Sequence, residues 1–235
     1  MKRFYKTAAV AERDGGFAVL LDGKPIETPA ARPLVAPNAA LAERIAKEWS
    51  EQGEHVRPST MPLTQLLSTA IDRMGDARLR AEAVAEIAGY AETDLVCFRA
   101  AHPPALVLRQ EAAWQPLLEW VAERYGAKLG VTVGFGPPGH APAALTRIEA
   151  AVAAAGPLGL AALHLATGTL GSAVIALALA EGRLCADEAF RIAYLDELHQ
   201  MEVWGEDAEA KARLERIRAD IAATAEFLSL VAKSS

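Results

Sequence analysis

Apolar positions follow two different rhythms along the chain. Two short β-capable runs, RFYKTAAVAE and FAVLL, stand near the start, separated by RDGG, and DGKP follows at 22–25. Asp-Gly pairs between such runs favour tight turns, because Gly tolerates positive φ and Asp bonds to nearby backbone. A small antiparallel sheet is predicted here. The Pro-rich passage PAARPLVAP then leads to Asn38, a side chain suited to accept from the first N–H groups of a helix. That helix is predicted over AALAERIAKEWSEQ, ending at Gly53.

After HVRPSTMP the period becomes helical and mostly stays so. Leu63, Leu66, Leu67, Ala70, Ile71 and Met74 fall on one face of a helix that opens with Pro62 in its first turn. A second helix follows Asp76 as its cap. A third, ALVLRQEAAWQPLLEWVAERYG, is expected to kink or break at Pro116. Strand-like KLGVTV and the loop GFGPPGHAP precede an Ala-rich helix over 143–155. From 157 to 180 the pattern predicts two short buried helices joined near Gly168. From Ala186 it predicts two long amphipathic helices that meet near Gly205, the first with an apolar stripe through Phe190, Leu195, Leu198 and Met201. The result is an α+β chain: a β-rich domain with one helix over 1–60, and a mostly helical domain over 61–235.

Composition narrows the class. With 52% apolar and 23% charged residues the chain is globular, and a net charge of −6 leaves no basic face for nucleic acid. Cys97 and Cys185 match no zinc or redox spacing and are expected as reduced core residues of a cytoplasmic protein. The start shows no long apolar run before charge resumes at Glu12, so it is expected to be neither signal nor transit peptide. Residues 157–180 carry no charge and are long enough for a bilayer. A membrane-associated protein is thus one reading, yet the Ala/Gly composition, His164 and the break TGTLGS favour burial in a soluble fold.

Candidate chemistry is incomplete wherever it appears. GFGPPG formally matches G-x-G-x-x-G, but Pro137 and Pro138 have no N–H to give a phosphate. GTLGS lacks a P-loop lysine, and Ser172 sits in no nucleophile elbow; the small residues are expected to permit close helix packing. The segment LDELHQMEVWGEDAEA, residues 195–210, holds six carboxylates. Asp196 and His199 stand at i and i+3, half of a carboxylate metal site without its other half. A metal-dependent hydrolase using that face is an alternative reading. A solvated acidic face is another, and Trp204 beside Gly205 is either a packing anchor or an exposed hot spot.

In succession, these segments resemble a known family. RFYKTAAVAERDGGFAVLLDGKPIETP, EWSEQGEHVRPSTMPLTQLLSTAID, YAETDLVCFR, LRQEAAWQPLLEW, TGTLGSAVIALALAEGRL and DELHQMEVWGEDAEA occur in order over nearly the whole chain. They are similar to the assembly chaperones of F-type ATP synthase that hold its free alpha subunit (ATP-twelve type), here a bacterial member. The resemblance implies a β-rich N-terminal part, a helical C-terminal part, no catalysis, and the alpha subunit as partner. The residues themselves, with their incomplete ligand sets, net charge and Gly-broken apolar stretch, lead to the expectation of no cofactor or metal, no nucleic acid and no membrane insertion, in the cytoplasm. The resemblance also places partner binding on Gln200, Trp204 and Asp207, with Glu197 and Glu202 added from their position.

Overall fold

The computed structural model describes all residues except Asp14, Phe135, Glu206 and 233–235. The middle of the first hairpin turn, part of the GFGPPG loop and one of the six clustered carboxylates therefore lie outside the described residues. Two compact units are present.

The first unit comprises Met1–Arg80, Gly156–Ala162 and the chain from Ala223 onward. Strands β1 (Ala8–Arg13) and β2 (Gly16–Leu21) pair antiparallel as the sequence predicts, and the register sets Val10 opposite Val19. Two short strands, β3 (Lys24–Pro25) and β4 (Val35–Ala36), also pair with β2. That central position explains why β2 is apolar and mostly buried throughout, while β1 holds no buried residue and ends in exposed Glu12 and Arg13. The turn at Asp22 and Gly23 takes φ of +48° and +80°, which favours Asp and Gly. The Asp22 carboxylate accepts from the Thr7 N–H and hydroxyl, each at 2.9 Å, and so fixes the chain entering β1.

Helix α1 (Ala39–Ser50) starts at Asn38, whose side chain accepts from the Leu41 N–H at 2.8 Å. It stops at Glu51 in a right-handed conformation, two residues before the predicted Gly53. Helix α2 (Pro62–Asp72) has no capping side chain of its own. Glu48 of α1 supplies one: its carboxylate accepts from the Leu63 and Thr64 N–H groups at 2.8 and 2.9 Å and from the Thr64 hydroxyl at 2.6 Å. The core joins Val19 and Leu21 with Leu41, Ile45, Leu63 and Leu67. Phe227 and Leu230, from the end of the chain, belong to it too.

The second unit comprises Ala81–Ala155 and Leu163–Ala222. It contains most of α3 (Ala77–Tyr90), which Asp76 caps as expected by accepting from the Leu79 N–H at 3.0 Å. Helix α4 (Pro104–Tyr125) runs through Pro116 without the predicted break. Pro116 and Ala112, whose carbonyl loses its partner, are both exposed, so water can satisfy the freed group. Strands β5 (Phe98–Arg99) and β6 (Thr132–Val133) pair parallel. The loop from Gly136 to Ala141 forms no helix, and the Ala-rich helix α5 begins at Pro142 and ends at Ala153.

The uncharged stretch forms α6 (Pro157–Leu170) and α7 (Ala173–Ala180), and α7 is buried from Ala173 to Leu179. Among the described residues, no helix is long and apolar enough to cross a membrane. The join falls at Gly171, with φ +65°, and not at Gly168. Close packing is not its reason. A Cβ on Gly171 would meet nothing within 4 Å, so the glycine is there for its left-handed backbone.

The last segment forms three helices where two were expected: α8 (Ala186–Ala193), α9 (Leu195–Trp204) and α10 (Ala208–Ala232). The extra boundary is Tyr194, at φ −103° and ψ 21°. Its ring stacks on Phe190 and its hydroxyl donates to the Thr169 carbonyl at 2.6 Å. Cysteine burial divides. Cys97 is buried, and burial pushes its thiol up to about 12, whereas Cys185 is exposed at the start of α8. Cys185 is therefore not the core residue expected. Its backbone N–H is taken by Glu188 at 2.8 Å, so it serves as the helix boundary.

Candidate functional site

Helix α9 carries four of the five residues expected to bind a partner, and it is unusual in having no buried residue. The expected apolar stripe does not form a core contact here: Leu195, Leu198 and Met201 are only partly buried and Val203 is 58% exposed. Trp204, the residue open to two readings, is 85% exposed. It is not a packing anchor. An indole and a valine in water at the end of a helix represent unpaid apolar surface, the kind that partners cover.

The carboxylates around them are arranged by the rest of the unit. Glu202 accepts from Arg109 of α4 at 2.6 Å, and Glu197 pairs with Arg213 of α10. These two acids thus face different helices across α9. Glu197, Gln200 and Trp204 stand at i, i+3 and i+7, which puts them along one face. Gln200 is exposed. Asp207 lies beyond the Gly205 turn, where φ is +95°, and its carboxylate caps α10 by accepting from the Ala210 N–H at 2.9 Å. The five residues therefore lie on α9 and just after the turn that ends it, and Glu197, Glu202 and Asp207 already have structural partners.

The proposed half metal site is used otherwise. Asp196 Oδ1 accepts from the Gln110 side-chain amide at 2.8 Å, and His199 Nδ1 lies 3.4 Å from the Arg109 guanidinium. A guanidinium at that distance disfavours a cation. Among the described residues, no three His, Cys, Asp or Glu side chains converge to hold a metal ion.

Sequence reasoning missed the residues that place α9, which come from α4, 86 to 93 positions away. Gln110 is 1% exposed and engaged at both ends of its amide: its nitrogen donates to Asp196, and its oxygen accepts from the Ala100 N–H at 2.7 Å. Trp114 donates its indole N–H to the Ile192 carbonyl at 3.0 Å, holding the end of α8. The only sequence signal for these residues is their place in the segment LRQEAAWQPLLEW.

A second buried centre links two other quoted segments. Asp94 of YAETD is wholly buried and accepts from the Ser172 hydroxyl at 2.5 Å, the Val174 N–H at 3.1 Å and the Val96 N–H at 3.3 Å. Ser172 in turn caps α7 by accepting from the Ile175 N–H at 3.0 Å. Burial raises the Asp94 carboxyl to about 6, against the lowering effect of those donors. Nearby, the Arg99 guanidinium is buried over the Trp114 ring and donates to the Val96 carbonyl. These contacts seal a core and leave Ser172 no histidine partner. They are scaffolding for the helices that carry α9.

Comparison with known proteins agrees with this fold. Residues 2–122 match the family described as ATP12 chaperone protein. The mitochondrial protein atp12 of Schizosaccharomyces pombe is 26% identical over 219 residues, covering 88% of this chain and 75% of that protein. The crystal structure of Atp12 from Paracoccus denitrificans superposes with a TM-score of 0.89 at 37% identity, covering 98% of each chain. A protein of Agrobacterium tumefaciens does so with the same TM-score at 42% identity, over 97% of this chain and 85% of that one. With a family match over more than half its length, and a fold shared end to end with a solved Atp12, the chain belongs to the ATP12 chaperone family.

Proposed function

We propose that this protein is an ATP-independent assembly chaperone that holds the unassembled alpha subunit of F-type ATP synthase and keeps it from aggregating until beta binds. The observation that carries this reading is Trp204, 85% exposed beside Val203 on a helix with no buried residue, within a segment rich in carboxylates. A subunit awaiting its neighbour exposes apolar interface, and such surface aggregates unless covered. Exposed aromatic side chains cover apolar area with little loss of conformational entropy, and surrounding charges steer the encounter and set its register. A holdase must later yield its client, which suits an interface built of a small apolar tip and a polar rim. Glu197, Gln200, Glu202, Trp204 and Asp207 form this surface, and the protein acts in the bacterial cytoplasm.

The test is suppression of alpha-subunit aggregation, followed by light scattering without nucleotide. Trp204→Ala and the pair Glu202→Gln with Asp207→Asn should each fold normally and protect less well than wild type. Full protection by both variants would rule this surface out. A pull-down from native extract that retains no alpha subunit would rule out the client.

A further inference from the structure

Because α9 buries no residue completely, polar tethers add to the partly buried Leu195, Leu198 and Met201 in fixing its position. Gln110 holds Asp196, Arg109 holds Glu202 and Arg213 holds Glu197. The last two are surface ion pairs, with side chains 50% and 58% exposed for Arg109 and Glu202, and 44% and 35% for Arg213 and Glu197. Pairs of this kind add little stability, since water screens them and two long side chains lose freedom. Each carboxylate is thus engaged by its own chain yet still open to another cation. From Leu195 to Ala210 the sequence holds six carboxylates and no lysine or arginine. A partner that complements this charge carries lysine or arginine around an apolar patch.

We propose that Arg109 and Arg213 are placeholders for such basic side chains. On docking, lysines or arginines of the partner replace Arg109 on Glu202 and Arg213 on Glu197, while Trp204 and Val203 cover the apolar patch between them. This inference rests on reading α9 as the client-binding element, and it adds how that element is regulated. In the free chaperone the two arginines neutralise the acids and fix the helix. Exchanging one exposed pair for another costs little in either direction, so docking and release both remain easy. The arginines also weaken long-range attraction, so the free protein is held below its fastest association.

The experiment measures association with the isolated alpha subunit at low and high salt. Arg109→Gln should bind about threefold faster at low salt, and about 0.5 M salt should erase the gain. Arg109→Lys, which keeps the charge, should behave as wild type. In a Glu202→Gln background, Arg109→Gln should gain clearly less, because only the change in net charge remains and no acid is unmasked. No gain in wild type, or an equal gain in the Glu202→Gln background, overturns the proposal. The Arg213 and Glu197 pair permits the same cycle, so a variant of Arg109 that fails to fold does not block the test. If Trp204→Ala and Glu202→Gln bind the alpha subunit like wild type, the reading of α9 falls and this proposal with it. If they weaken binding while Arg109→Gln gives no gain, only the exchange is wrong.

Discussion

The Ser172 hydroxyl donates to Asp94 Oδ1 at 2.5 Å, joining residues 78 positions apart at the first turn of a buried helix. Asp94 also takes the Val174 N–H at 3.1 Å, which would otherwise be an unpaired donor in a dry core. Placing an acid there satisfies the helix start but desolvates the carboxylate, and the two effects oppose each other. Desolvation is the larger.

This sets a pH dependence with a definite sign. The folded carboxyl titrates near 6 and the unfolded one near 3.8, so between these values the folded state holds a proton that the unfolded state releases. The contribution of Asp94 to stability is therefore complete below about pH 4 and is lost as pH rises through 6. Denaturant unfolding from pH 4 to 7 should show a flatter profile in Asp94→Asn than in wild type. Parallel profiles would mean that Asp94 does not titrate in this window.

Gln110 should be a stability residue that also governs the binding face. Gln110→Ala leaves the Ala100 N–H without its side-chain acceptor and Asp196 without its donor, at a cost of about 1–3 kcal/mol. Equilibrium unfolding gives that number. Hydrogen exchange should show added opening in α9 before the rest of the unit, because that tether is not backed by core contacts.

Gly171 separates two explanations of a small residue. Since a Cβ would meet nothing within 4 Å, Gly171→Ala should destabilise only through its positive φ, by about 1–2 kcal/mol. Gly171→Asn should cost clearly less, because Asn tolerates that conformation. Thermal melting that ranks Asn below Ala would return the explanation to packing.

Asp207 has two roles that substitution can part. Asp207→Ala removes the acceptor for the Ala210 N–H and should cost about 1 kcal/mol, whereas Asp207→Asn keeps a capping oxygen and should be nearly neutral. A change in client protection by Asp207→Asn, with an unchanged melt, then reports charge alone. Trp204→Ala should leave the melting temperature where it is, given 85% exposure, while costing about 2 kcal/mol or more in client binding.

By itself the sequence determined the local elements. The Asp22-Gly23 turn, the Asn38 and Asp76 caps, the Pro62 start and the apolar face of Leu63, Leu66 and Leu67 act within a few residues, and all appear as predicted. The ordered segments also pointed to the family. Tertiary structure decided what depends on distant partners. Pro116 stays inside a helix because the carbonyl it frees, that of Ala112, is on an exposed residue where water can satisfy it; Tyr194 ends a helix where its hydroxyl finds Thr169; Cys185 is exposed because it begins a helix at the surface. The acids of residues 195–210 read alike in sequence, yet Glu202, Glu197, Asp196 and Asp207 each have a different partner. Whether Trp204 lay in core or water could not follow from helical periodicity, which fixes the direction of a side chain on its own helix but not what stands opposite.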